Sequence, residues 1–121
     1  MPLARATAAL VALAVMIGCG GEQPTAVVRS DTVEISLDEF FIRPQNINAR
    51  AGTVTVVVAD RGRLRHSFRL WGRDGAPVEI DSLLPGDEIE RRADLAPGEY
   101  RMVCTVSNHA ELGMTGKLVV R

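Results

Sequence analysis

The chain of 121 residues is long enough for one compact domain, and 46% of its residues are hydrophobic. Its 14 Lys and Arg residues and 15 Asp and Glu residues leave a net charge of −1, so no basic field points to a nucleic-acid partner. The 2 cysteines and 2 histidines are too few for a Cys₄ zinc site, an iron–sulfur cluster or a disulfide framework. We therefore expect one small domain that binds no nucleic acid.

The N-terminal residues have the pattern of an export signal. Arg5 supplies a positive charge ahead of an apolar stretch over residues 6–17, which is too short to span a bilayer as a permanent helix. Residues 16–19, Met-Ile-Gly-Cys, resemble a bacterial lipobox, in which a peptidase cuts before a cysteine that then carries lipid. We predict a lipoprotein signal peptide over residues 1–18 and lipid attachment at Cys19. The alternative is a plain secretory signal with an incidental cysteine.

The next residues carry no strong hydrophobic period. A flexible stretch over residues 20–31 would have an end-to-end distance of about 20 Å. We therefore predict a flexible tether over residues 19–31 that holds the domain just clear of a membrane. The lipid would anchor the protein at the outer face of a bacterial membrane, on its periplasmic or extracellular side.

The rest of the chain, residues 32–121, has the pattern of an all-β domain. Residues 32–37 and 66–71 alternate apolar and polar side chains, as half-buried strands do, and residues 53–59 are rich in β-branched side chains. Further short extended stretches cover residues 40–42, 46–50, 77–80, 88–92, 99–104 and 115–120. Glycine and proline separate many of these stretches. The pattern predicts a Greek-key β-sandwich or barrel of about eight strands.

Tyr100 follows the turn residues Pro97 and Gly98. A tyrosine at this place can return its hydroxyl to nearby backbone, as in the tyrosine corner of Greek-key sandwiches. We predict that Tyr100 has this structural role and is not a redox residue.

Four side chains that can bind metals have matching positions on the predicted strands. His66 and Cys104 each share a strand face with large apolar residues, so both should point inward. Met114 joins the inward face if the last strand keeps its parity, and His109 lies in the loop between Cys104 and Met114. One thiolate, two imidazoles and a weak thioether form the ligand set of a blue-copper centre. The alternative is a metal-free core, since single inward Cys and Met side chains usually only fill space.

At these residues the chain resembles the cupredoxin family of small blue-copper proteins, over essentially all of residues 32–121. The resemblance rests on Gly52-Thr53-Val54 at the start of a strand, His66 at the start of the next, the segment Pro97-Gly98-Glu99-Tyr100, and the C-terminal loop. The Cys-x₄-His-x₄-Met spacing of that loop is similar to that of rusticyanin and sulfocyanin. The resemblance implies a cupredoxin-like domain with one copper ion, cycling between Cu(II) and Cu(I). Its implied ligands are His66, Cys104, His109 and Met114.

Two neighbours of the histidines are candidates for supporting roles. Ser67 follows His66 and Asn108 precedes His109, so each is placed to hold a ring or the ligand loop by hydrogen bonds. Many members of the family have Pro-Gly before the loop histidine, where this sequence has Ser107 and Asn108. Asparagine tolerates a left-handed backbone, so the turn can still form.

Two further groups of residues are candidates for docking a redox partner. Small or apolar side chains near His109 suit a close and weak encounter. They are Ala110, Leu112 and Gly113. Three arginines before His66 either form a solvated turn or steer an acidic partner. They are Arg61, Arg63 and Arg65.

The sequence therefore predicts a membrane-tethered electron-transfer protein that works between redox partner proteins outside the cytoplasm. We expect a monomer. We also expect no enzyme activity, because a second copper site or a Ser/His/Asp triad would need further histidines. A dinuclear CuA centre would need a second cysteine in the loop. The alternative function is a copper-binding or delivery protein of the cell envelope, which would use the same ligands but release the metal.

Overall fold

The computed structural model describes residues 23–121, which form ten β-strands. The strands are β1 (Thr25–Val27), β2 (Thr32–Asp38), β3 (Phe41–Arg43), β4 (Asn46–Ala49), β5 (Gly52–Asp60), β6 (His66–Gly72), β7 (Gly75–Leu83), β8 (Glu88–Leu95), β9 (Gly98–Val103) and β10 (Thr115–Val120). This part of the chain contains no helix long and apolar enough to cross a membrane. The predicted signal peptide over residues 1–18 and the predicted lipid attachment at Cys19 lie outside the described residues.

The strands form two sheets that pack face to face. The six-stranded sheet has the order β1-β4-β10-β9-β6-β7, and the four-stranded sheet has the order β3-β2-β5-β8. Most neighbouring strands are antiparallel, while β4 pairs in parallel with β1 and β10, and β2 pairs in parallel with β5. The prediction of an all-β sandwich is confirmed, with ten strands instead of about eight.

Strand β1 corrects the predicted tether. It pairs in parallel with β4, and the backbone N–H of Val28 donates to the carbonyl oxygen of Asn48 at 2.8 Å. The N–H of Thr55 in turn donates to the carbonyl oxygen of Asp31 at 2.8 Å. The folded domain therefore includes β1, and the prediction of a flexible tether over residues 19–31 is wrong from β1 onward. A three-residue edge strand is too short to show a hydrophobic period, so no sequence pattern predicts it.

The core lies between the two sheets and is built by alternation along the strands. On β2, the side chains of Val33, Ile35 and Leu37 are buried while their neighbours face outward. On β9, Tyr100 and Met102 are buried in the same way. Burying one such aliphatic side chain stabilises the fold by about 1.5–3 kcal/mol, so this pattern fixes which face of each strand points inward.

The tyrosine corner is confirmed. The Tyr100 hydroxyl donates to the carbonyl oxygen of Ala96 at 2.8 Å. The Tyr100 ring lies against Gly72, where an added Cβ would come within 2.5 Å of a ring carbon. Tyr100 thus joins the start of β9 to the end of β6 and has a structural role.

Three strand ends meet at one end of the six-stranded sheet. Because β9 is antiparallel to both β6 and β10, the end of β9 lies beside the beginnings of β6 and β10. Strand β6 begins with His66, Cys104 directly follows β9, and Met114 directly precedes β10. The topology therefore brings three of the four predicted ligands to the same end of the sandwich.

Candidate metal centre

Three buried donor side chains form a cluster at this end of the sheet. His66 Nδ1 and His109 Nδ1 are 3.2 Å apart. Cys104 Sγ lies 3.6 Å from His109 Nδ1 and 3.9 Å from His66 Nδ1. His66 and Cys104 are fully buried, and His109 is only 7% exposed. One thiol and two imidazole nitrogens thus face each other with almost no exposure to solvent.

The donors and their spacing fit a single metal ion. Bonds of about 2.1 Å to imidazole nitrogen and about 2.3 Å to sulfur, as found for zinc, place trigonal ligand atoms roughly 3.5–3.8 Å apart. The three observed separations run from 3.2 to 3.9 Å. Thiolate and imidazole ligands suit copper and zinc, whereas calcium and magnesium require oxygen ligands. The cluster can therefore hold one copper or zinc ion.

The backbone keeps Met114 next to two of these donors. The N–H of Cys104 donates to the Met114 carbonyl oxygen at 3.1 Å, and the N–H of Met114 donates to the His109 carbonyl oxygen at 3.0 Å. The Met114 side chain is fully buried. Its place in the chain would let its thioether serve as a weak fourth ligand to a bound ion.

The ligand loop over residues 104–114 is a series of tight turns. The N–H of His109 donates to the carbonyl oxygen of Val106 at 3.0 Å, and the N–H of Leu112 donates to that of Asn108 at 3.1 Å. The residue with left-handed backbone is Ser107, with φ 45°, and not Asn108. The exposed Asn108 side chain accepts a hydrogen bond from Ser107 Oγ at 3.5 Å. The structure therefore does not place the Asn108 side chain against the cluster.

Ser67, the other predicted supporting residue, contacts the thiol directly. Its backbone N–H donates to Cys104 Sγ at 3.4 Å, and its Oγ lies 3.8 Å from the same sulfur. Ser67 Oγ also accepts a hydrogen bond from the N–H of Thr105 at 2.8 Å. Ser67 thereby ties the start of β6 to the start of the ligand loop and supplies a donor to the sulfur.

Sequence reasoning missed Glu39, which lies in the turn between β2 and β3. Glu39 Oε1 accepts a hydrogen bond from His66 Nε2 at 2.9 Å, so the other ring nitrogen, Nδ1, faces the cluster. The backbone N–H groups of Arg63 and Leu64 also donate to this carboxylate. These two donors, followed by His66, lower the pKa of Glu39 from 4.5 to about 2. Glu39 lies 27 residues before His66, and no local pattern links the two.

The next residue in the same turn, Phe40, was also missed. Its ring centroid lies 5.0 Å from that of His109, at an interplanar angle of 58°. The His66 and His109 rings are 5.1 Å apart and nearly edge to face. Burial, together with the nearby His66, lowers the pKa of His109, which favours the neutral imidazole that binds metal.

The predicted docking residues lie around this end of the molecule. Leu112 is 51% exposed, while Ala110 and Gly113 are half-buried. The segment between β5 and β6 leads directly into His66, and its three arginines are exposed. Leu64, between them, is 46% exposed and was not among the predicted docking residues. An apolar side chain is thus available in each of the two loops.

Known structures match this fold, although no family model and no curated protein matches the chain. Auracyanin from Roseiflexus castenholzii, in its dithionite-reduced form, is 21% identical with a TM-score of 0.69, covering 76% of this chain and 98% of that chain. Auracyanin A from Chloroflexus aurantiacus, described as a "blue" copper protein, is 22% identical with a TM-score of 0.65. The match covers 79% of this chain and 100% of that chain. Rusticyanin from Thiobacillus ferrooxidans is 20% identical with a TM-score of 0.64. The match covers 80% of this chain and 82% of that chain.

These likenesses extend over most of the described residues and nearly the whole of each auracyanin chain. The chain therefore has the cupredoxin fold of the auracyanins and rusticyanin, as the resemblance in its sequence implied.

Proposed function

We propose that this protein binds one copper ion through His66, Cys104, His109 and Met114 and carries single electrons between redox proteins outside the cytoplasm. The observation that carries the proposal is the buried triangle of one sulfur and two imidazole nitrogens. Bound there, copper would supply a one-electron Cu(II)/Cu(I) couple. Auracyanin A, which shares the fold, is itself described as a blue copper protein, and this supports copper over zinc.

The chain's own contribution is to hold the donors still. His66 and Cys104 are fixed at strand ends, while backbone hydrogen bonds tie Met114 to Cys104 and His109. Because the donors are already close together, a bound ion would cause little rearrangement when it changes oxidation state. Soft sulfur ligands favour Cu(I), and imidazole serves both states.

The count of histidines favours electron transfer over catalysis. The sequence contains 2 histidines, and both lie in the cluster. No imidazole is left for a second copper site or for a Ser/His/Asp triad. We therefore propose a carrier of electrons and not an enzyme.

Attachment to a membrane belongs to the same proposal. If Cys19 carries lipid, five residues separate it from β1, and these span at most about 18 Å when fully extended. The domain would then stay close to the membrane surface. Redox partners would dock at the end of the sandwich that carries the cluster, where Leu64 and Leu112 are exposed.

A copper-delivery protein is the second candidate, and burial argues against it. His66 and Cys104 are both 0% exposed, so an acceptor protein has no direct access to two of the ligands. The experiment is a copper titration of the metal-free protein, followed by repeated oxidation and reduction in the presence of a copper chelator. An electron carrier should bind one equivalent and keep it through the cycles. Loss of the metal on reduction would favour delivery, and no binding would contradict both functions.

A further inference from the structure

The turn between β2 and β3 contacts both histidines of the cluster. Glu39 accepts a hydrogen bond from His66 Nε2 at 2.9 Å, while the adjacent Phe40 packs against the ring of His109 at 5.0 Å between centroids. This turn belongs to the four-stranded sheet, whereas His66 and Cys104 belong to the other sheet and the loop that follows it. The contact therefore joins the two sheets at the cluster.

The Glu39 carboxylate gathers several donors from one short stretch of chain. The N–H of Arg63 lies 2.9 and 3.0 Å from its two oxygens, and the N–H of Leu64 lies 2.8 Å from Oε1. His66 Nε2 is a further donor to the same carboxylate. Glu39 therefore holds both the loop before β6 and the first residue of β6. The side chain is 21% exposed, so solvent screens its charge only in part.

We propose that Glu39 is a positioning residue that fixes the His66 ring with Nδ1 toward the cluster and lowers the reduction potential of the copper centre. This inference rests on the proposed copper function. A hydrogen bond to an anion fixes the proton on Nε2 and strengthens electron donation from Nδ1. The negative charge also favours Cu(II) over Cu(I), since the oxidised site carries one more positive charge.

A purely structural role for Glu39 makes a different prediction. If the carboxylate only caps the loop before β6, its loss would change stability but would leave the reduction potential where it was. The potential is therefore the measurement that separates the two roles.

The test compares Glu39→Gln with Glu34→Gln in the copper-loaded full chain. Glutamine keeps the length of the side chain and an acceptor oxygen but removes the charge. Glu34 is an exposed residue of β2, so its variant loses the same charge away from the cluster. We expect voltammetry to show a higher potential for Glu39→Gln, corresponding to a change of about tenfold in the ratio of Cu(II) to Cu(I) affinity. That ratio equals about 59 mV for one electron.

The outcomes distinguish this inference from the proposed function. If both variants take up copper and turn blue but their potentials equal that of the wild type, the inference is wrong and the copper function stands. If the wild type itself fails to bind copper, the function is wrong. If Glu39→Gln does not fold, the potential of Glu39→Asp decides, because the shorter side chain keeps the charge but withdraws the carboxylate from His66 Nε2: a raised potential supports the inference, and an unchanged potential overturns it.

Discussion

Ser67 joins two parts of the candidate metal centre, because its backbone N–H donates to Cys104 Sγ at 3.4 Å while its Oγ accepts from the N–H of Thr105 at 2.8 Å. The first bond uses the main chain and the second uses the side chain. Mutation of Ser67 can therefore remove the side-chain support of the ligand loop while keeping the main-chain donor to the sulfur.

Ser67→Ala should destabilise the metal-free protein by about 1–3 kcal/mol, because the N–H of Thr105 loses its partner in a partly buried place. The measurement is urea unfolding, with Ser82→Ala as control. Ser82 is an exposed residue of β7, so its loss should change the unfolding free energy by no more than about 0.5 kcal/mol. The blue colour should persist in both variants, and loss of colour in Ser67→Ala would show that the hydroxyl acts on the sulfur.

Met114→Leu should retain the blue colour and raise the reduction potential, since losing a weak axial donor disfavours Cu(II). Each tenfold change in relative affinity equals about 59 mV, and we expect a shift of at least this order. Met102→Leu is the matched control, because Met102 is equally buried but lies within β9. Equal potentials for the two variants would remove Met114 from the ligand set. A complete loss of copper binding would show that Met114 is more than an axial ligand.

Asp60 should make the stability of the metal-free protein depend on pH. Its Oδ2 is buried and has no hydrogen-bond partner among residues 23–121, and burial raises the pKa of this carboxyl above 3.8. As pH falls from neutral, the folded state takes up this proton before the unfolded state does, so protonation stabilises the fold. The unfolding free energy of the wild type should therefore rise relative to that of Asp60→Asn between pH 7 and about pH 4. A difference that does not vary with pH would contradict this prediction.

The arginines before His66 should steer negatively charged reaction partners toward the centre. Arg61→Glu/Arg63→Glu should slow oxidation by an anionic one-electron reagent several-fold at low ionic strength. The effect should shrink as added salt shortens the Debye length to about 8 Å. The Arg63 N–H that binds Glu39 belongs to the main chain and is kept. Stopped-flow rates for Arg91→Glu/Arg92→Glu on β8 provide the control. If both double variants slow the reaction equally, net charge accounts for the effect and local steering is wrong.

The sequence predicted most of the candidate metal centre because side chains on one face of a strand recur every two residues. The apolar faces of two strands placed His66 and Cys104 inward, and the loop spacing implied His109 and Met114. Glu39 escaped prediction because its contact with His66 depends on how the two sheets pack, which no local period encodes.

The backbone conformation of the turn before His109 was also not predictable from the sequence. The left-handed position fell on Ser107 and left the Asn108 side chain exposed, although asparagine is the more usual residue there. Strand β1 depends on pairing with β4, since only one of its three side chains is even half-buried.

The visible spectrum of the copper-loaded protein tests the central claim most directly. With one equivalent of Cu(II), the wild type should show intense thiolate-to-copper absorption, because Cys104 Sγ is the only thiol in the described cluster. Cys104→Ser should fold and lose this absorption. A colourless wild type, or a Cys104→Ser protein that is equally blue, would contradict the account.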